Sequence, residues 1–375
     1  MSSGLDFVII GLSITSSWGN GHATTYRGLV RELAQRGHRL LFLERDVPWY
    51  ALNRDMARPP GCETKLYGSF EELTDRFERD VRAADVVIVG SYLPEGARVG
   101  AWVLAHTRGN AIFYDIDTPV TLREVESGTC DYLTPELAAR YDLYLSFTGG
   151  PTLARLQSRF GARRARPLYC AVDPEVHFVE PCEVRWDLGY LGTYSADRQT
   201  TLTSLLVEPA CEWPEGRFAV VGPQYPEELR WPLNVMRLDH LAPGDHRGFY
   251  NAQRFTLNIN RLDMARAGWS PSVRLFEAAA CATPIITDAW PGLEAFFEPG
   301  REVIVARTPG EVIATLQRTA EGDRRTIGHR ARVRALAEHT AAHRAETLEG
   351  WVRELLDAGA KHPGNGRSGA TWEAR

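Results

Sequence analysis

The stretch DFVIIG (Asp6–Gly11), followed by an amphipathic run over Thr24–Arg36 and then by RLLFLE (Arg39–Glu44), decides how the chain folds. The two short, almost unbroken apolar segments read as strands buried on both faces, and the longer 3.6-period stretch between them reads as a helix. Strands joined by a helical crossover are parallel. The alternation continues through a polar helix near Phe70–Ala83, DVVIVG (Asp85–Gly90), a helix near Glu95–His106, AIFYDI (Ala111–Ile116) and DLYLSF (Asp142–Phe147). A second series of strands follows at Leu188–Gly192, Phe218–Gly222, Val235–Leu238, Phe255–Asn260, Pro284–Thr287 and Glu302–Val305. The fold class is therefore α/β, with two doubly wound parallel sheets in sequence.

Between the two series, Pro167–Trp186 holds three prolines and no sustained period, which marks a linker. The 375 residues suit two domains of roughly 100 to 200 residues each. The expected organisation is a first domain over 1–170, a second over 171–340, and a C-terminal helix over 341–358 with its periodic part at His343–Ala358. A tail at 359–375, rich in Gly and polar residues, has too little apolar content to order. Ligands of open parallel sheets bind beyond the carboxyl ends of the strands, so two facing sheets make a cleft lined by post-strand loops.

Composition excludes several classes. With 43 Lys and Arg against 48 Asp and Glu, the net charge of −5 gives no overall positive field for a nucleic-acid backbone. No apolar run approaches the ~20 residues that span a bilayer, and the start MSSGLDFVIIG lacks a basic region and a cleavage site. The expectation is a cytoplasmic protein with no transmembrane segment. Six scattered cysteines, with no CxxC and no His at zinc-finger spacing, predict neither a disulfide framework nor a metal cluster. Oligomeric state leaves no mark on the sequence.

Chemistry concentrates in GWSPSVRLFEAAACATP (Gly268–Pro284). Ser270 suits an N-cap and Pro271 a first helical position, which predicts a helix from Pro271 to about Cys281. The amides of Ser272 and Val273 would then point out of its start, where the helix dipole favours a phosphate or diphosphate. Glu277 stands among Leu275, Phe276, Ala279 and Ala280, and a carboxylate buried there needs partners. Two readings are open: an ion pair with Arg274, or hydrogen bonds accepted from two adjacent ribose hydroxyls.

The segment LFEAAACATPIITDAWPGLEAFFEPG, preceded by LNINRLDMARAGWSPSVR, resembles the donor-binding end of GT-B glycosyltransferases, in particular the CgeB-like (spore maturation) branch related to glycosyltransferase family 4. CAVDPEVHF (Cys170–Phe178) is similar to the interdomain segment of those enzymes, and YLGTYSADRQ (Tyr190–Gln199) to the loop after the first strand of their second domain. The resemblance covers Pro167–Arg307 well and the first half more loosely, through ITSSWGNGHATTYRGL and FYDIDTPVT. It implies two Rossmann-like domains facing a central cleft, and transfer of a sugar from a nucleoside diphosphate sugar to a small-molecule or macromolecular acceptor. Carried over, Glu277 would bind the ribose, the amides of Ser272 and Val273 the diphosphate, and Arg198 its charge. Gly222 and His240 would lie near the nucleobase. No cofactor or metal is expected beyond the donor itself, because helix dipole and basic side chains can stabilise the leaving diphosphate. One departure stands out: family 4 enzymes usually carry a second Glu eight positions before the ribose Glu, and Trp269 is there. Retention of configuration is the expected route, though that absence puts it in doubt.

In the first half, the loop after Asp6–Gly11 reads SITSSWGNGHAT. Gly19 and Gly21 would let a ligand approach the backbone, and His22 would face the cleft as a base or as a donor to the sugar phosphate. Asp115 and Asp117, at the end of AIFYDI, are expected near the cleft; Asp117 could orient His22 or touch the acceptor. Asp-x-Asp is a metal-nucleotide pattern of the other glycosyltransferase fold, but three residues match by chance, and the doubly wound halves favour GT-B. Inverting transfer with a His22/Asp117 base dyad stays open. So do an NAD(P)-dependent oxidoreductase, on the strength of Gly19-x-Gly21 and the strand-ending Glu44, and a catalytically inactive nucleotide-binding module.

Overall fold

The computed structural model describes residues 4–360. Its first sheet holds seven strands: β1 (Asp6–Gly11), β2 (Arg39–Arg45), β3 (Glu63–Tyr67), β4 (Val86–Gly90), β5 (Asn110–Asp115), β6 (Leu143–Ser146) and β7 (Ala165–Pro167). They pair in parallel in the order β3-β2-β1-β4-β5-β6-β7. The second sheet holds six: β8 (Trp186–Leu191), β9 (Phe218–Val221), β10 (Val235–Leu238), β11 (Gln253–Asn258), β12 (Ile285–Thr287) and β13 (Ile304–Val305). Their order is β10-β9-β8-β11-β12-β13, again all parallel. Both are the doubly wound sheets expected from the sequence. The chain direction of winding reverses beside β1/β4 and beside β8/β11, and the crevices at such switch points are where parallel sheets take ligands.

Central strands are buried on both faces, as with every residue of β4, and their unbroken apolar runs announce them. The sequence does not announce β3 or β7. Glu63–Leu66 alternates exposed and part-buried residues at the sheet's edge before the buried Tyr67, so the strand lacks the continuous run of an interior one. Ala165–Pro167, at the other edge, is three residues long and ends in a proline that has no amide to donate.

The C-terminal helix runs over Ala341–Ala360, close to the expected 341–358, and is part of the first domain's core, a placement the sequence leaves open. Ala345, Leu348, Val352 and Leu355 are buried with Leu29, Val30 and Leu33 of the helix His22–Gln35. Arg36 fixes the pair from outside by an ion pair to Glu349 at 2.5 Å. The chain thus crosses twice between the sheets: once through 168–185, and once where Val172 pairs with Thr340. Arg31 anchors the first crossing with a two-pronged bond to Asp173, at 2.5 and 2.9 Å. Of the tail expected to be unordered, 359–360 are the end of the helix, and 361–375 lie outside the described residues. No helix among the described residues is long and apolar enough to cross a membrane.

Because Leu348 is fully buried, Leu348→Ala should destabilise the first domain by about 2–5 kcal/mol. Urea unfolding followed by a first-domain probe checks this; an unchanged midpoint would contradict the packing of the C-terminal helix there.

Candidate active site

A cleft of about 510 Å³ lies between the carboxyl ends of the two sheets. On the second-domain side its wall is built by the loops after β8 and β11 and by the helix Val273–Ala280. That helix starts two residues later than expected. Ser270 is buried and shares a hydrogen bond with Thr148, from the loop after β6, at 2.9 Å, so it is spent on the domain interface and not on a cap. Ser272 occupies the N-cap position, yet its hydroxyl donates to Asn258 Oδ1 at 2.6 Å. No side chain caps the helix, and the free amides at its start are led by Val273 and Arg274. An anion is the natural partner for such a terminus.

One turn further on, Glu277 is 3% exposed. Its Oε2 accepts a hydrogen bond from the Tyr250 hydroxyl at 2.9 Å, and burial raises the Tyr250 pKa far above its ordinary value, so that hydroxyl stays a donor. Of the two readings left open, the pair with Arg274 is not formed. Arg274 turns back to Asn258 Oδ1 at 3.4 Å and the Ile259 carbonyl at 3.3 Å, with its guanidinium 5.3 Å from the centre of the Tyr190 ring. Arg198 donates to the Thr193 carbonyl at 2.8 Å, and its buried Nε has no partner. Among the described residues neither Arg198 nor Arg274 is paired with a carboxylate. Burial chiefly pushes the Arg198 pKa down, with Tyr190 opposing and the neighbouring Arg274 and Arg261 adding to the shift.

Across the cleft, His22 is the first residue of the helix His22–Gln35, its amide held by Asn20 Oδ1 at 3.1 Å. Its Nδ1 is buried without a partner. Burial lowers the imidazole's pKa, with Asp117 opposing and Arg261 reinforcing the shift, so the ring is neutral at pH 7. Asp117 lies at the cleft but is not hydrogen-bonded to His22: its Oδ2 accepts from Tyr92 at 2.9 Å and from Arg261, of the other domain, at 3.1 Å. The alternative of a His22/Asp117 base dyad finds no hydrogen bond between the two side chains in this structure. Asp115 is a second correction. It is fully buried away from the cleft, because Tyr144, Thr121 and the Asp117 amide supply its hydrogen bonds inside the core. Burial lifts its pKa to about 6.

Gly19, Gly21, Gly222 and His240 all line the cleft. Gly19 has φ +61°, and a Cβ at Gly19 or Gly21 would meet nothing, so both present open backbone. Gly222 lets two post-strand loops touch, since a Cβ there would fall 2.1 Å from the Gly192 carbonyl oxygen. Trp269, where the second Glu was missed, does not line the cleft: at φ +44° its ring is wedged between Gly150 and Gly292 of opposite domains. Glu44 is consumed by the loop Ser13–Thr15, accepting from two amides and two hydroxyls at 2.6 to 3.0 Å. No oxygen of it is left for a ribose, which removes the basis of the nicotinamide reading. Arg261, Tyr250, His177 and His246 escape sequence reasoning. Only the position of Arg261 just after a strand could have flagged it.

Residues 198–350 match the model of the glycosyl transferase-like family. A sucrose-phosphate synthase from Thermosynechococcus elongatus is similar over 94% of this chain and all of its own, at 16% identity and TM-score 0.69. HepE of Anabaena, in complex with UDP-glucose, gives 14% identity and TM-score 0.68 over 94% and 100% of the two chains. The chain has the GT-B fold. An alpha-glucosyltransferase in complex with UDP-glucose and DNA containing an abasic site shares this GT-B architecture, at 10% identity and TM-score 0.69 over 94% of this chain and all of that one. Among curated protein sequences none matches significantly. The family match agrees with the glycosyltransferase reading of the sequence.

The charges around His22 make a signed prediction. Asp117→Asn removes the influence that raises the imidazole pKa and should lower its midpoint further, whereas Arg261→Ala should raise it. Imidazole NMR against pH measures both; shifts of opposite sign would place His22 in a different field.

Proposed function

We propose that the chain transfers a sugar from a nucleoside diphosphate sugar to an acceptor, with Glu277 binding the ribose and the start of Val273–Ala280, Arg198 and Arg274 binding the diphosphate. The observation that carries this is the meeting of an uncapped helix start, two guanidiniums without carboxylates and a buried carboxylate in one cleft. Val273 and Glu277 are four residues apart, about 6 Å of helix rise, the scale on which a diphosphate is separated from its ribose hydroxyls. His240 and Gly222, at the ends of neighbouring strands, would flank the base. Since HepE binds UDP-glucose, that is the first donor to test. The motif residues of Cys170–Phe178 and Leu275–Gly300 support membership of the CgeB-like branch.

Transfer with retention, without a metal, is the route we favour. The uncapped helix start and the guanidiniums meet the charge that develops on the departing diphosphate, and that diphosphate can take the acceptor's proton. Oδ2 of Asp117 is held by Tyr92 and Arg261, and no hydrogen bond joins Asp117 to His22. His22 and the Gly19–Gly21 backbone would then bind the transferred sugar or the acceptor. A second reading, inversion with His22 alone as base, is favoured by its neutral ring and unpartnered Nδ1. The anomeric configuration of the product, read by NMR, separates the two routes. Trp18 and Trp49, edge to face at 4.7 Å with Trp49 half exposed, are candidate acceptor platforms.

Calorimetry with UDP tests the donor assignment. Glu277→Ala should weaken binding by about 1.5–3 kcal/mol, the loss of hydrogen bonds to a charged group, or roughly 10- to 150-fold. Unchanged affinity in a folded variant would remove the ribose role, and a wild-type protein that releases no nucleoside diphosphate with any donor would favour an inactive binding module.

A further inference from the structure

Glu277 faces a second set of donor atoms. His177 comes from the connection between the sheets, His246 from the helix Pro243–Asn251, and each offers a nitrogen that lies with a Glu277 oxygen inside a 4.8 Å span. His177 is the telling residue: its side chain is 2% exposed, and neither ring nitrogen has a partner. A buried imidazole left unpaired on both nitrogens is costly, and a bound ligand would account for it. Its Nε2 is 3.9 Å from Glu277 Oε1, too long for a hydrogen bond.

The surroundings prepare the other two groups in the same sense. His246 Nε2 lies 3.1 Å from the Leu241 carbonyl, which can only accept, so Nε2 carries the proton and Nδ1 the lone pair. Tyr250 occupies Glu277 Oε2 and leaves Oε1 toward His177. Hydrogen bonds from outside that fix a ring's tautomer and a carboxylate's orientation are what metal ligands receive. Two imidazoles and a carboxylate suit Zn²⁺, and Glu277 and His246 both line the cleft, which supplies an entry path and an open fourth position.

We propose that His177, His246 and Glu277 bind Zn²⁺ or a similar divalent transition metal, and that this metal competes with the nucleotide sugar for Glu277. The competition rests on the ribose role proposed above; the metal site does not. Tag-free full-length protein titrated with Co²⁺ should take up one equivalent, with the visible spectrum of a low-coordinate nitrogen and oxygen site, and Zn²⁺ should displace it. His177→Ala and His246→Gln should each weaken uptake at least tenfold, and the wild-type spectrum decides the ligation should His177→Ala fail to fold. UDP should raise the apparent dissociation constant for the metal. No stoichiometric uptake, or uptake unchanged in both folded variants, would overturn the site. Metal bound at these residues but indifferent to UDP would overturn the competition, and with it the ribose role of Glu277.

Discussion

A carboxylate withdrawn from water must be given partners, and the second-domain side of the cleft is arranged around the way Glu277 finds them. One oxygen is held by the Tyr250 hydroxyl, and the other is left beside His177 and the cleft. The arginine best placed in sequence to neutralise it, Arg274, is drawn off toward Asn258 and Ile259. That division leaves a negative group and a gathering of positive groups side by side without cancelling. A ligand with hydroxyls at one end and a diphosphate at the other fits this polarity.

The same separation depends on the two sheets. Each doubly wound sheet places its switch point toward the cleft, so His22 and Arg198, near the starts of their helices, and Arg261, in the loop after β11, meet there. Contacts across the boundary, Thr148 to Ser270, Asp117 to Arg261 and the Trp269 ring between two glycines, join the loops that surround the ligand space. Trp269 serves as an interdomain packing residue and adds no charge to the cleft.

Much of this is legible in the sequence because the central strands are continuous apolar runs and the helix Phe70–Ala83 has a strong period with a Ser69 cap. β3 and β7 are not, since edge strands need no such run. The helix starts two residues beyond its sequence signal because Ser270 answers to Thr148, a partner 122 residues away. The place of Asp115 is hidden for the same kind of reason: strand alternation gives its side but not the Tyr144 and Thr121 hydroxyls that draw it inward. His177, His246 and Tyr250 could not be found by spacing, because three separate segments bring them to Glu277. The C-terminal helix shows its apolar face in the sequence, but not which domain receives it.

A crystal structure of the chain with UDP-glucose tests the central claim most directly. The diphosphate should lie within hydrogen-bonding distance of the Val273 amide and the Arg198 guanidinium, and both ribose hydroxyls within that distance of the Glu277 carboxylate. A nucleotide seated elsewhere in the cleft, with Glu277 still held only by Tyr250, would contradict it.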